Sequence, residues 1–167
     1  MNIGDEAPSF SLPDTSGEEH GPDGLTVVVF TCNHCPYALA WHERLMQVAR
    51  DYKGVRFLAI NPNDAERYPA DSYEAMQQRV ASEDWPMPYL RDESQQVARA
   101  YGAKTTPDLF VLDAERRLRY RGAPDADHRD PSLNAAWLRE ALDAVLAGDE
   151  PARSESDPVG CSVKWKR

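Results

Sequence analysis

Cysteine is scarce in this chain: 167 residues hold only three, Cys32, Cys35 and Cys161. So few, and an odd number, do not make a disulfide scaffold; such thiols are reactive, metal-ligating or passive core. Basic residues are a minority, 19 Lys and Arg against 28 Asp and Glu, giving a net charge of −9. No basic stripe is present to displace counterions, which argues against nucleic acid as a partner. The acidity itself is explained by solubility. No apolar run approaches the length that spans a membrane. The segment Met1–Glu6 has neither a positive n-region nor an apolar h-region, and the expectation is a cytoplasmic location without membrane attachment. Internal repeats and low-complexity segments are missing as well. What is present, 41% hydrophobic and 28% charged residues, suits a single soluble domain with a substantial core.

The pattern along the chain alternates strands and helices. Residues 1–24 are turn-rich and read as a short hairpin around Asp14-Thr15-Ser16-Gly17, with Phe10 and Leu12 on one face and His20 in a solvated loop. Leu25 to Thr31 is a continuous apolar run, as in a strand buried on both faces. From Pro36 the spacing predicts a helix to Tyr52, with Ala38, Trp41, Leu45, Val48 and Tyr52 on one face; proline is tolerated in a first turn. Val55–Ile60 is a second buried strand. Asp71-Ser72 offers an N-cap for a helix to Ser82. Residues 85–90 are extended because prolines bias their predecessors out of the α region. A short helix over Asp92–Tyr101, a strand over Leu109–Leu112 and a returning strand over Leu118–Arg121 follow. Asp130-Pro131 reads as the start of a last helix closed by Gly148. The division is a domain over residues 1–148, including the hairpin 1–24, and a tail over 149–167 that carries Cys161. The fold class is α/β, a mixed central sheet flanked by helices on both faces.

Chemistry concentrates in Thr31-Cys32-Asn33-His34-Cys35-Pro36-Tyr37. Two cysteines two residues apart sit where a strand ends and a helix begins. Unpaired N–H groups and the positive end of the helix dipole favour thiolate there. The spacing is about one helical turn, so the sulfurs can close a small ring. A Cys-x-x-Cys beside a βαβ pattern reads as a redox motif.

The chain resembles the thioredoxin superfamily, in the branch shared by thioredoxin-like and peroxiredoxin-like (alkyl-hydroperoxide-reductase/thiol-specific-antioxidant) proteins. Four pieces carry the resemblance: the opening Gly4–Asp14, the Cys32–Cys35 motif, the segment Thr105-Thr106-Pro107-Asp108-Leu109-Phe110, and the run from Pro88 to Ala103 with the ending Val159–Lys166. The last pair is similar to an uncharacterised bacterial subgroup. The resemblance implies a thioredoxin fold with an N-terminal hairpin and a C-terminal tail. It implies that Pro107 is a cis-proline beside the redox pair, and that Thr106 offers backbone groups to a bound peptide. Cys32 is expected as the attacking thiol and Cys35 as its resolver. A histidine just before the second cysteine also occurs in protein disulfide isomerases and periplasmic disulfide oxidases. His34 is therefore expected to stabilise the Cys32 thiolate and to raise the potential above thioredoxin's, about −270 mV.

The activity implied is thiol–disulfide exchange on protein or small thiol substrates, supplied by a reducing thiol system, with no bound cofactor. Two departures qualify it. Thioredoxin's buried acid, six residues before the first cysteine, is Thr26 here, and its tryptophan is Thr31. A thiol peroxidase is the alternative. Aligned on Cys35, the proline and threonine that shape a peroxide pocket read Val28 and Cys32, and the peroxide-polarising arginine reads Pro107. A second alternative is a copper- or zinc-binding protein of the same fold using Cys32, Cys35, His34 and His42, with His128 as a distal candidate; a second cysteine pair for structural zinc is missing. Cys161, beside Lys164, Lys166 and Arg167, is a candidate third redox thiol, or a small hydrophobe packed with Val159 and Trp165. The acid pairs Asp92/Glu93 and Asp125/Asp127 read as caps and solvated loops, and Trp41, Trp85 and Trp137 as core.

Overall fold

The computed structural model describes residues 1–167. β1 (Leu12–Pro13) and β2 (Glu19–His20) form the opening hairpin, its turn fixed by Asp14 Oδ1 accepting from the N–H groups of Ser16 and Glu18. β3 (Thr26–Phe30) is the buried β-branched run. α1 (Pro36–Asp51) leaves from its end, and β4 (Arg56–Asn61) returns parallel to β3. A single 3-10 turn (Pro69–Asp71) leads into α2 (Tyr73–Ser82), whose cap Ser72 accepts from Ala75 N–H. β5 (Tyr89–Arg91), α3 (Gln96–Tyr101), β6 (Thr105–Thr106), β7 (Asp108–Leu112), β8 (Leu118–Gly122), α4 (Ala136–Leu146) and β9 (Cys161–Ser162) complete the chain.

The central sheet has the order β5-β4-β3-β7-β8. β3, β4 and β5 are parallel, while β7 and β8 run antiparallel on the other side of β3. Alternation along β3 sorts the core. Val27 and Val29 pack with Trp41 and Leu45 of α1 and Leu138 and Leu142 of α4. Val28 and Phe30 pack on the opposite face with Ala98 and Tyr101 of α3, Ala7 of the N-terminal segment and Val163 of the tail. Strands buried on both faces read as unbroken apolar runs because both pleat directions meet a covering layer. No helix is long and apolar enough to cross a membrane.

Two helix starts differ from the sequence expectation. α4 begins at Ala136, not at Asp130. Asp130 spends its carboxylate on Ser132, accepting from both its N–H and its Oγ, and Ala135 has φ +62°, which no helix can pass through. α3 likewise begins at Gln96, after Gln95 at φ +65°, while Asp92 Oδ2 reaches forward to accept from Ala98 N–H. His20 is not a free loop residue: its Nε2 lies 2.8 Å from Asp14 Oδ2. Asp125 is not a solvated loop acid. It is buried and accepts from Trp41 Nε1, from Arg44 at 2.9–3.0 Å and from Ala135 N–H, tying the loop before α4 onto α1.

The stretch after α4 is bound along its length. Ser154 and Ser156 pair with the backbone of Arg121, and Ser156 Oγ bonds Tyr120 Oη and Ala123 N–H. Further on, Val163 N–H donates to Lys104 O, Lys164 N–H to Asn63 Oδ1 and Lys166 N–H to Gln95 Oε1. The Arg99 guanidinium stacks on Trp165 at 4.4 Å. Between these anchors β9 pairs antiparallel with β6.

Candidate active site

α1 starts because Pro36 supplies a preset φ where its missing N–H costs nothing. The residue at its N-cap is Cys35, so the free N–H groups of the first turn face Cys35 rather than Cys32. Both sulfurs are buried, Cys32 at 1% exposure, and all three cysteines are free thiols. The Thr106–Pro107 peptide bond is cis, as the resemblance implied. Cys32 Sγ lies 3.3 Å from Thr106 Oγ1, and Cys35 Sγ lies 3.1 Å from Thr106 O. Cys161 packs against the same pair and completes a three-sulfur cluster with Ala38 and Tyr37 around it.

The two motif thiols titrate as a pair. Cys35 is held down to about 4, first by the hydrogen bond from Cys32, against the cost of burial, and then by Cys161 and the Ala38 N–H. Cys35 S–H donates to the Thr106 carbonyl, while Cys32, Cys161 and the Ala38 N–H donate to the Cys35 sulfur. Cys32 is pushed above the ordinary thiol range by its hydrogen bond to Cys35, by burial and by the charge of Asp71. In the reduced, closed protein Cys35, the residue at the start of α1, is the more acidic member of the pair. Cys161 is pushed up to about 11 by burial and by its hydrogen bond and proximity to Cys35.

The His34 ring pairs with Asp71 rather than with Cys32. Its Nδ1 lies 2.6 Å from Asp71 Oδ2, and the ring stacks flat on Tyr68. What His34 gives Cys32 is its backbone N–H. Asp71 is fully buried in the turn before α2 and accepts from Asn33 N–H at 2.7 Å and from Asn61 and Asn63 side chains. Asn33 Oδ1 in turn accepts from Tyr89 Oη and Arg79, and Arg79 also donates to Cys32 O. The loop between the cysteines is thus clamped by α2, β4 and β5. Sequence reasoning read Asp71 only as part of a cap; the signal available was a run of polar residues, Asn61, Asn63 and Asp64, following a buried strand.

The candidate metal donors disperse. His42 faces Glu83 and Trp85, and His128 packs on Tyr37 and Trp41. Donor atoms of Cys32, His34 and Asp71 do fall within 4.8 Å of one another. That is one short of a closed tetrahedral site, and both Asp71 oxygens already accept hydrogen bonds.

The family model that matches residues 3–121 is the AhpC/TSA family. The chain belongs to the AhpC/TSA family. A solved structure of an uncharacterized conserved protein from Geobacillus kaustophilus is 39% identical, with 99% of this chain and 93% of that one covered and a TM-score of 0.93. A hypothetical protein from Sinorhizobium meliloti is 37% identical over 99% of this chain and 96% of that one, with a TM-score of 0.92. A putative thiol:disulfide interchange protein from Chlorobium tepidum is 20% identical over 89% and 97%, with a TM-score of 0.67, a likeness of fold. No curated protein matches. The thioredoxin-like fold of this AhpC/TSA chain agrees with the architecture read from its sequence.

Proposed function

We propose that this AhpC/TSA-family protein is a thiol–disulfide oxidoreductase whose redox unit is Cys32 and Cys35. The observation that carries the reading is the hydrogen-bonded cysteine pair seated on the cis Thr106–Pro107 strand, with one thiol strongly acidified. In the closed reduced protein Cys35 stores the charge and Cys32 the proton. Separating the tail strand from β6 removes the Cys161 donors from Cys35 and uncovers Cys32. Charge then moves to Cys32, which attacks a substrate disulfide. Cys35 attacks Cys32 Sγ of the mixed disulfide and releases the reduced product, leaving the Cys32–Cys35 disulfide. Thr106 and Pro107 shape the site, and His34 acts through Asp71. Substrates are protein or small-molecule disulfides, and electrons return from a reducing thiol.

One observation favours a second reading. An acidified Cys35 at a helix start, followed by proline, is placed as a peroxide-attacking thiolate. The arrangement lacks a cation beside Cys35 for the leaving oxygen, and this reading ranks second. The test is side-by-side assay of disulfide reduction and peroxide turnover on Cys32→Ser, Cys35→Ser and Cys161→Ser. Thiol–disulfide exchange requires disulfide reduction to be lost in both Cys32→Ser and Cys35→Ser. Peroxide turnover that survives Cys32→Ser but not Cys35→Ser makes Cys35 the nucleophile and the protein a peroxidase.

A further inference from the structure

The mechanism above uses two sulfurs, yet three meet in one cluster. Cys161 arrives from the far end of the chain, and its position is built. β9 pairs in register with β6, placing Cys161 opposite Thr106, the residue that touches both motif sulfurs. Gly160 lies so close to the Thr106 carbonyl that any Cβ there would overlap it. The strand is held on both sides, by Ser154 and Ser156 on β8 and by Val163, Lys164 and Lys166 on the Lys104, Asn63 and Gln95 side. Within the cluster Cys161 hydrogen-bonds Cys35, through both its side chain and its N–H. It is also the most exposed of the three thiols.

Building on the Cys32–Cys35 reading, we infer that Cys161 is the third member of a thiol relay: it takes over Cys35 from Cys32 in an internal disulfide and presents that bond to an external reducing thiol. The exchange balances without any added oxidant. Starting from the Cys32–Cys35 disulfide, the Cys161 thiol gives its proton to solvent and its sulfur attacks Cys35 Sγ. The Cys32–Cys35 bond breaks, the Cys35–Cys161 bond forms, and Cys32 leaves as a thiolate that takes up a proton. The two-electron oxidation that made the first disulfide came from the substrate disulfide. A small thiol then attacks Cys161 Sγ, the sulfur of the least buried of the three residues, and Cys35 leaves as its stabilised thiolate. A second thiol attacks the mixed disulfide, releasing Cys161 as a thiolate and the disulfide of the reductant. Two of the causes that suppress Cys161 ionisation are the charge on Cys35 and the bond to it. Both are gone once Cys35 is in a disulfide, while burial, the largest cause, remains, so Cys161 ionises more readily in the oxidised protein than in the reduced one.

The sequence makes the test direct. Trypsin releases Cys32 and Cys35 together in the peptide 1–44 and Cys161 in the peptide 154–164. The full chain is oxidised with oxidised glutathione, free thiols are blocked with N-ethylmaleimide, and the non-reduced digest is analysed by mass spectrometry. The relay gives peptides 1–44 and 154–164 joined, with Cys32 blocked. The same link forms in Cys32→Ser and is missing in Cys35→Ser. A disulfide confined to peptide 1–44, with Cys161 fully blocked, overturns the relay and leaves the Cys32–Cys35 reading standing. A link that persists in Cys35→Ser assigns the partner as Cys32 and also overturns it. If no internal disulfide of either kind forms, both readings fail.

Discussion

Cys161 stands directly across from Thr106 in the pairing of β9 with β6, and Thr106 touches Cys32 through its hydroxyl and Cys35 through its carbonyl. One residue of the cis-proline strand therefore joins the cysteine pair to the end of the chain. The edge of β6 is already paired within the chain, by β9. That strand packs Cys161 against the pair, where it is one of the groups that lower the Cys35 ionisation.

Gly160→Ala disturbs the strand without removing a thiol. The new Cβ meets the Thr106 backbone, which cannot move aside as a side chain could. A penalty of about 1.4 kcal/mol on the closed arrangement raises the open population roughly tenfold. Alkylation of Cys32, followed by mass spectrometry of the peptide 1–44, should accelerate by that order. An unchanged rate would mean that the strand does not govern access.

Cys161→Ala removes an S–H donor from the Cys35 thiolate. The lower of the pair's two ionisations, now held near about 4, should move upward. One lost hydrogen bond to a charged group, about 1.5 kcal/mol, corresponds to roughly one pH unit. Thiolate ultraviolet absorbance against pH measures it. A downward or absent shift would show that Cys161 donates nothing to Cys35.

Asp71→Asn separates two roles of that carboxylate. Its charge is one cause of the raised Cys32 ionisation, so the upper ionisation of the pair should fall. The carboxylate also accepts from several donors, and an amide NH2 turned toward Asn33 N–H or Asn63 leaves a buried donor unmatched. A stability loss of about 1–3 kcal/mol is expected in chemical denaturation. Stability loss without a change in the thiol titration would confine Asp71 to holding the loop.

Asp108→Asn tests a buried carboxyl that the redox chemistry does not use. Burial pushes Asp108 up to about 6, and its Oδ1 has no partner. A raised carboxyl contributes stability that is complete below the unfolded value of 3.8 and is lost as pH rises through about 6. The asparagine variant lacks that loss. Relative to the native chain it should gain about 3 kcal/mol between pH 3.8 and neutrality, for a shift of roughly two units. Paired thermal melts across that window decide it; parallel curves would refute the assignment.

Asp125→Ala should be the most damaging of these changes. It removes the shared acceptor of the Arg44 guanidinium, the buried Trp41 Nε1 and the Ala135 N–H together. Removing one partner of a buried ion pair costs about 3–5 kcal/mol. Denaturant unfolding should show the midpoint fall by that equivalent, and a loss under about 1 kcal/mol would mean that water replaces the carboxylate.

The sequence by itself determined the layers of this protein. Runs such as Thr26–Phe30 and Leu109–Leu112 can only be strands covered on both faces, and the stripe from Ala38 to Val48 can only be one side of a packed helix. The cysteine motif and Thr106-Pro107 were legible for the same reason: their meaning is local in the chain or shared by a family. The boundaries of α3 and α4 were not, because Gln95 and Ala135 adopt positive φ without being glycine, under tertiary contacts no local pattern displays. Nor was the distribution of charge among the sulfurs. It depends on Asp71, 39 positions after Cys32, and on Cys161, 126 positions after Cys35, both delivered by packing. Electrostatics and hydrogen bonding fall off with distance in space, not along the chain. The sequence could name the candidate thiols, but only the folded chain brings Asp71 and Cys161 to them.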